Sequence, residues 1–306
     1  MKEIPVGFQM EYRAVSCKHL SELQADVDQL RAANKIHHNK VFQSYIDGFQ
    51  YQIPKDFPEA KFVIIVAVSK PIAQIQFRYK NKSYNVYIGA PYYESGYNAE
   101  IVQESLRKRI NLPSQHKLEY HWRLHEKLLA VRSGLGKYGR NNICYVGDMG
   151  CFLNLYAFFT DYEGFSDSWD EIQTMKYCET CKICLDNCPT GAIRETEFVI
   201  DISKCLPLYN EIQGIFPPWI PKTAHHTLMG CLKCQLTCPG NHKAIKNITM
   251  LEGMNEIETQ MILDGNIPKE HLDEVCRKLK MFKPKNVDYS LPTISRNLKA
   301  IILRDM

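Results

Sequence analysis

Eight of the twelve cysteines in this 306-residue chain fall within residues 178–238, and their spacing limits what that stretch can be. Cys178, Cys181, Cys184 and Cys188 come first, with Pro189 directly after the last. This is C-x2-C-x2-C-x3-C-P, the spacing by which thiolates hold a 4Fe-4S cluster. Cys231, Cys234 and Cys238 follow as C-x2-C-x3-C, again with a proline, Pro239, behind the last, and Cys205 lies between the two runs. Two residues between cysteines let a loop curl over one face of a cubane and present its sulfurs there. The proline fixes its own φ and keeps the preceding cysteine extended, so that sulfur points away from the loop's own cluster. Zinc is the competing reading, but zinc sites usually show two C-x2-C pairs rather than this run.

In two-cluster ferredoxins the cysteine before the proline ligates the other cluster. On that pattern Cys178, Cys181, Cys184 and Cys238 hold a first cluster, and Cys188, Cys205, Cys231 and Cys234 a second. Cys17, Cys144, Cys151 and Cys276 lie outside both sets and read as small buried apolar residues. The chain has no apolar run long enough for a membrane span, and its opening MKEIPVGFQMEYR has no apolar leader. With this many cysteines, that points to metal binding in a reducing cytoplasm rather than a disulfide framework. A hydrophobic share of 45% and a charged share of 24% suit a soluble globular protein and exclude a disordered one. The net charge of +4 permits a nucleic-acid partner without requiring one.

Upstream of the cysteines the pattern is that of an α/β domain, expected over residues 1–175 with mixed strand directions. Leu20, Leu23, Val27 and Leu30 repeat at helical spacing over 20–35, with Ser21 as a cap. FVIIVAVS (62–69) is a buried strand, and NKSYNVYIGA (81–90) a second strand ending at Pro91. A helix is expected over 97–112, with Ile101, Leu106 and Ile110 inward. Another is expected over 118–133, stopped by Gly134-Leu135-Gly136; it would gather Tyr120, His121, His125 and Glu126. His121 and His125 would then share a helix face, although no H-E-x-x-H order marks a zinc site. Short strands follow at 143–146 and 151–159. A ferredoxin-like module is expected over 176–247, where cluster bonds replace much of the apolar burial so short a module lacks. Residues 248–306 read as a helical tail, with helices at 255–264, 268–280 and 292–303. His225-His226, in the proline-rich loop FPPWIPKTAHH, reads as solvated.

Taken in order, several segments resemble the epoxyqueuosine reductase family. They are SGLGKYGRN (133–141), Thr160-Asp161, CPTGAI (188–193), FVIDISKC (198–205), GCLKCQLTCPGN (230–241) and SRNLKAII (295–302). The family pattern runs Ala-Gly-Leu-Gly-Trp-x-Gly-Lys-Asn, Thr-Asp, the first cluster run with Pro-Thr-Gly-Ala-Ile, then Asp-x-x-x-Cys, Gly-Cys-x-x-Cys-Gln-x-x-Cys-Pro-x-Asn and a tail with Arg-Asn. The resemblance covers residues 55–303, and the glycine segment makes it more specific than the cysteines alone.

The resemblance implies an α/β domain related to flavin reductases, binding cobalamin, with two 4Fe-4S clusters beside it. Gly134, Gly136, Gly139, Arg140 and Asn141 would line the corrinoid, glycine allowing close backbone approach. FMN is the alternative cofactor. Electrons would come from an external ferredoxin or flavodoxin. The family removes the epoxide oxygen in the last step of queuosine formation, so tRNA is an expected partner; the sequence gives no oligomeric state. Departures bear on the substrate. The family's proton-delivering Asp, in Val-Asp-Ser-Ala-Pro, falls at Tyr120 and its Pro at Arg123, while Glu126 persists. Tyr120 or His121 is therefore the expected catalytic proton donor. The family's Trp becomes Lys137, its Lys becomes Arg140, and a Ser after its lone cysteine becomes Pro207. Arg107, Lys108, Arg109, Arg123, Arg132, Lys137 and Arg140 would form a basic lip suited to phosphate. The competing readings are a corrinoid- or flavin-dependent reductase of another small substrate and a non-catalytic electron-transfer partner.

Overall fold

The computed structural model describes residues 7–303; residues 1–6, part of the segment read for a leader, and 304–306 lie outside the described residues. In chain order, β1 (Met10–Ser16), α1 (Leu20–Ala32), α2 (Lys40–Asp47) and β2 (Phe62–Ser69) come first. A hairpin, β3 (Ile72–Tyr79) and β4 (Lys82–Ile88), leads to α3 (Ala99–Arg109), β5 (Leu118–Tyr120) and α4 (Glu126–Arg132). Then come β6 (Lys137–Tyr138), β7 (Cys144–Tyr145) and β8 (Leu153–Thr160). The cysteine region carries only short helices, α5 (Ile183–Asp186), α6 (Pro207–Asn210) and α7 (Lys233–Leu236). The strand β9 (Ile248–Met250) and helices α8 (Glu256–Asp264), α9 (Lys269–Leu279) and α10 (Val287–Ile302) close the chain. Among the described residues no helix is long and apolar enough to cross a membrane.

The chain divides into two compact units. The first comprises Met1–Lys70, Ser95–Lys182 and Arg194–Ile200. Its four-stranded sheet has the order β1-β2-β8-β5, antiparallel throughout rather than mixed. Side chains alternate across β2. Val63, Ile65 and Ala67 face a core built with Leu20, Leu23 and Val27 of α1 and Leu128, Leu129 and Val131 of α4. Ile64, Val66 and Val68 face a second core with Val102 and Leu106 of α3. Both faces are covered, so β2 reads as one continuous apolar run instead of an alternating one. Each such fully buried side chain stabilises the fold by roughly 1.5–3 kcal/mol.

Local pattern misled at two places here. Residues 118–133 are not one helix: Leu118, Glu119 and Tyr120 pair with Thr160, Phe159 and Phe158 of β8, and the helix starts only at Glu126. Sheet pairing outweighs a weak helical preference over three residues. His121 and His125 therefore do not share a helix face. Ser21 is not a cap either, since α1 begins at Leu20.

The second unit comprises Pro71–Glu94, Ile183–Ile193 and Asp201–Met306. Lys80 and Asn81 both have positive φ, 48° and 62°, the two-residue type I′ turn that closes a hairpin. The strand β3 also pairs in parallel with β9, giving the order β4-β3-β9. Ala73, Ile75 and Phe77 meet Ile262, Val275, Leu279, Ile294 and Leu298 of the closing helices. A capping box opens α8: Asn255 accepts from the Glu258 amide while the Glu258 carboxylate accepts from the Asn255 amide. The tail helices thus form as expected, except that α10 starts at Val287 and carries Pro292 inside it. The chain does not divide at the expected boundaries, 175 and 247. Residues 71–94 belong with the C-terminal part because β3 finds its partner in β9.

Candidate functional site

In the second unit, Cys184 sits on α5 and Cys234 on α7, two short helices packed on each other. Cys188 follows α5, and its sulfur accepts the Ala192 amide at 3.3 Å with the Thr190 hydroxyl 3.7 Å away. Burial pushes the Cys231 thiol up to about 11, against the pull of the Lys233 backbone amide; neighbouring Cys188 adds to the rise. Cys188 and Cys231 thus lie close enough to feel each other's charge, and both belong to the expected second ligand set. The Cys231 thiol, raised by burial, keeps its proton at neutral pH unless a cation replaces it, and iron does so outright. Soft thiolates fed by backbone N–H groups are the donor set a 4Fe-4S cluster takes. The thiols of Cys188 and Cys231 fit such a cluster in donor chemistry, although among the described residues no three His, Cys, Asp or Glu side chains converge on one metal position.

What braces these cysteines was only partly visible in the sequence. His226 is not a solvated loop residue. Its Nδ1 donates to the Ala224 carbonyl at 2.8 Å and its Nε2 accepts the Leu232 amide at 3.1 Å, beside Cys231. His225 is buried against Phe216. Asn210 Nδ2 donates to the Gly230 carbonyl at 2.5 Å, and its Oδ1 accepts the Gly230 amide at 3.1 Å. Asn297, fully buried on α10, donates to the carbonyls of Asn210 and Leu228 at 2.7 and 2.6 Å. Arg296 donates to the carbonyls of Tyr209, Ile212 and Gly214. The Arg296-Asn297 pair in SRNLKAII thus holds the loops that carry Cys205 and Cys231.

In the first unit lie Cys178 and Cys181, beside the glycine segment. Arg140 donates Nε to the Cys181 carbonyl at 3.1 Å, and its terminal nitrogens donate to the carbonyls of Cys178 and Glu195. A guanidinium forks onto several acceptors in a way a lysine cannot. Asn141 is buried, donating to the Tyr145 hydroxyl at 2.9 Å. A Cβ on Gly136 would stand 2.5 Å from Cys144 Sγ, and one on Gly139 would stand 2.7 Å from the Tyr145 ring. Close packing with β7 therefore demands these two glycines. Gly134, with φ +70°, has open space where its side chain would be. Of the five residues expected at the corrinoid, Gly134 has open space beside its backbone, while Gly136, Gly139, Arg140 and Asn141 also make close contacts inside the unit. Much of the expected basic lip is also engaged. Arg132 pairs with Asp26 at 3.2 Å and stacks on Trp169, Arg123 stacks on Trp122, and Arg107 donates to the His116 carbonyl.

The expected proton donors lie at the end of β5. Tyr120 is 37% exposed, and burial, then Glu126 and Tyr156, raise its pKa. His121 Nε2 finds no hydrogen-bond partner among the described residues, and burial lowers its pKa. His125 stacks on Phe49 at 4.5 Å, and burial, helped by Lys127, drives it down to about 3, so it stays neutral. Glu126 behaves differently. Burial raises its carboxyl to about 8 against the Ala157 backbone amide, and its Oε1 has no hydrogen-bond partner among the described residues. At neutral pH Glu126 is therefore an uncharged acid able to give up a proton. Sequence reading had placed it in this group without singling it out; only burial reveals its state.

Residues 177–241 match the family described as 4Fe-4S double cluster binding domain. The epoxyqueuosine reductase of Atelocyanobacterium thalassa is 35% identical over 126 residues, 40% of this chain and 39% of that protein. That of Escherichia coli is 28% identical over 150 residues, 46% of this chain and 38% of that protein. The chain thus spans about two fifths of the length of the curated relatives it matches. In fold, the epoxyqueuosine reductase of Streptococcus thermophilus matches 95% of this chain and 76% of its own at a TM-score of 0.65 and 18% identity. An epoxyqueuosine reductase solved with an epoxyqueuosine-modified tRNA-Tyr stem loop matches at a TM-score of 0.61 and 16% identity, covering 97% of this chain and 77% of its own. The double-cluster domain, the curated relatives and the shared fold all mark the chain as similar to epoxyqueuosine reductases.

Proposed function

We propose that this chain is an iron–sulfur reductase of the epoxyqueuosine reductase type. It takes single electrons from a ferredoxin or flavodoxin, stores them on two 4Fe-4S clusters, and uses them to remove an epoxide oxygen from a nucleoside in tRNA, within a reducing cytoplasm. The observation that carries this reading is the eight-cysteine double-cluster domain in a chain of this fold. Cys178, Cys181, Cys184 and Cys238 would hold one cluster, and Cys188, Cys205, Cys231 and Cys234 the other. Loss of the epoxide oxygen as water consumes two electrons and two protons, and two one-electron clusters match the first requirement. A solved relative that carries an epoxyqueuosine-modified tRNA stem loop supports tRNA as the substrate.

Cobalamin, which the resemblance implies, would supply a strongly reducing metal nucleophile if bound. The chain's own part is to supply protons and exclude water. Glu126, protonated at neutral pH, is the acid best placed to act, with Tyr120 standing where the family has its Asp. The test begins with anaerobic purification and an iron count of about eight per chain, as two 4Fe-4S clusters require. Visible-spectrum titration with hydroxocobalamin and with FMN then identifies the cofactor. Queuosine analysis of tRNA from a deletion strain, with and without the restored gene, decides the substrate.

Tyr120 in place of a carboxylate favours a second reading, a reductase of another small substrate with the same clusters. Unchanged queuosine in the deletion strain selects that reading. A non-catalytic electron carrier would instead hold clusters, bind neither cofactor tightly and turn nothing over alone.

A further inference from the structure

The loop of residues 211–221 in the second unit carries an exposed apolar rim. Ile215 is 98% exposed, and Ile212 and Trp219 are 41% and 46% exposed. Tyr289, 79% exposed, joins them through its carbonyl, which accepts from the Gln213 side chain at 3.2 Å. Single exposed hydrophobic residues are ordinary; a group on one loop calls for a reason. The loop is also braced. Arg296 donates to the Ile212 and Gly214 carbonyls at 2.9 and 2.7 Å and stacks on Phe216 at 4.1 Å. Pro217, Pro218 and Pro221 restrict its backbone. A rim held in shape loses little freedom when something docks on it.

The inner side of this loop reaches the second expected ligand set. Ile220 forms a small core with Leu206 and Ala224, and Phe216, Tyr209 and Cys231 pack against it. Leu206 directly follows Cys205. The loop thus packs from outside against one expected cluster ligand, Cys231, and beside the chain neighbour of another, Cys205. Its charge is one-sided. Lys204 and Lys222 are exposed; Lys204 lies 3.8 Å from Asp201, Lys222 has no acidic partner among the described residues, and Glu211 is turned inward to accept from the Tyr92 hydroxyl.

We infer that this loop is the docking site of the electron donor, a small acidic one-electron carrier with an apolar contact patch, and that electrons enter at the second cluster. This rests on the reading that the cysteines hold clusters. The step balances simply: the reduced iron–sulfur or flavin carrier loses one electron, the second cluster gains it, and no bond or proton moves. A branched aliphatic tip flanked by Lys222, with Lys204 partly offset by Asp201, suits an acidic protein surface better than a nucleic acid, which would want a dense basic patch.

The test uses the anaerobically purified holoprotein and stopped-flow reduction of its clusters by a pre-reduced acidic 2Fe-2S ferredoxin, with dithionite as a small-molecule control. Ile215→Asp should raise the ferredoxin concentration giving half-maximal rate by roughly tenfold or more, as loss of an interface anchor does. Lys222→Glu should do the same and lose the effect at high salt. Iron content and dithionite reduction should stay at the parent level in both. Ferredoxin reduction of Ile215→Asp at the parent rate would overturn the docking site. So would weakened binding of a tRNA stem loop with ferredoxin kinetics untouched, or a parent dimer that Ile215→Asp splits. An iron count far below about eight sinks the cluster reading itself, and the docking site with it.

Discussion

Replacing Glu126 by Gln tests the neutral buried acid directly. Its carboxyl rises from 4.5 to about 8 because burial disfavours the charged form. The folded state therefore binds this proton more tightly than the unfolded chain does. The sign follows: the stability tied to this proton is fully present below pH 4.5 and is lost as the pH rises through about 8. A shift of roughly 3.5 units at 1.36 kcal/mol each gives about 5 kcal/mol in all. Because the titration is gradual, the loss relative to acid is about 1 kcal/mol at pH 5, about 3 at pH 7 and about 5 at pH 9. The glutamine side chain keeps the shape of the protonated acid and has no charge to desolvate, so this component vanishes in the variant. The assay is the melting temperature of the anaerobic holoprotein, parent and E126Q, from pH 5 to 9. At about 2–4 °C per kcal/mol for a unit this size, the gap should widen by roughly 8–16 °C across that range, the variant being the more stable at high pH. Parallel curves would show that Glu126 titrates as an ordinary carboxylate, and it could then no longer serve as a neutral proton source.

Arg140→Gln removes the charged fork from the carbonyls of Cys178, Cys181 and Glu195; at about 1.5 kcal/mol for even one such bond, iron should leave one cluster roughly tenfold faster under a chelator. Lys at this position should restore only part of the resistance, and chelation rates equal to the parent would remove Arg140 from the cluster's support. Cys188→Ser and Cys231→Ser should each lower the iron count from about eight to about four and abolish the same electron paramagnetic resonance signal. If the two variants lose different signals, the ligand sets are wrongly drawn. Gly136→Ala places a Cβ 2.5 Å from Cys144 Sγ and 3.0 Å from the Tyr145 carbonyl, and should cost about 1–3 kcal/mol in thermal melts. Adding Cys144→Ala should recover part of that loss, because it removes the nearer clash.

The cysteine spacing was legible because a cubane constrains neighbours a few residues apart, which is what a sequence displays most directly. The strand β2 was legible because it is covered on both faces, and the helices α8 and α9 because their apolar spacing and caps are local. Misses came from partners distant in the chain. Leu118–Tyr120 becomes a strand only because β8 offers it an edge some forty residues on, and residues 71–94 join the C-terminal unit only through β9. The glycine segment stood out in the sequence, but the crowding of Gly136 and Gly139 by Cys144 and Tyr145 did not. The state of Glu126 could not be read at all, since a lone Glu in a polar stretch gives no sign of burial. Arg296 and Asn297 stand out in the sequence only through the resemblance; in the fold they grip the carbonyls of Tyr209, Asn210 and Leu228.

That grip says where resemblance and departure fall on the chain. The tail motif SRNLKAII sits on α10, yet its polar pair reaches the loops around Cys205 and Cys231, so its likeness to the family concerns cluster support. The Lys-to-Arg change at 140 acts on the same side, because the guanidinium anchors three carbonyls in and around the first cysteine loop. Departure is concentrated in residues 120–126, where the family's carboxylate is a tyrosine and a half-buried acid with a raised pKa, Glu126, lies a few residues further on. An electron relay must keep its sulfurs and their scaffold whatever it reduces, whereas a proton donor must suit one substrate in one orientation. On the proposed function, altered acid chemistry beside a full set of cluster cysteines would bear on which carbon–oxygen bond is broken, and would leave the means of delivering electrons to it unchanged.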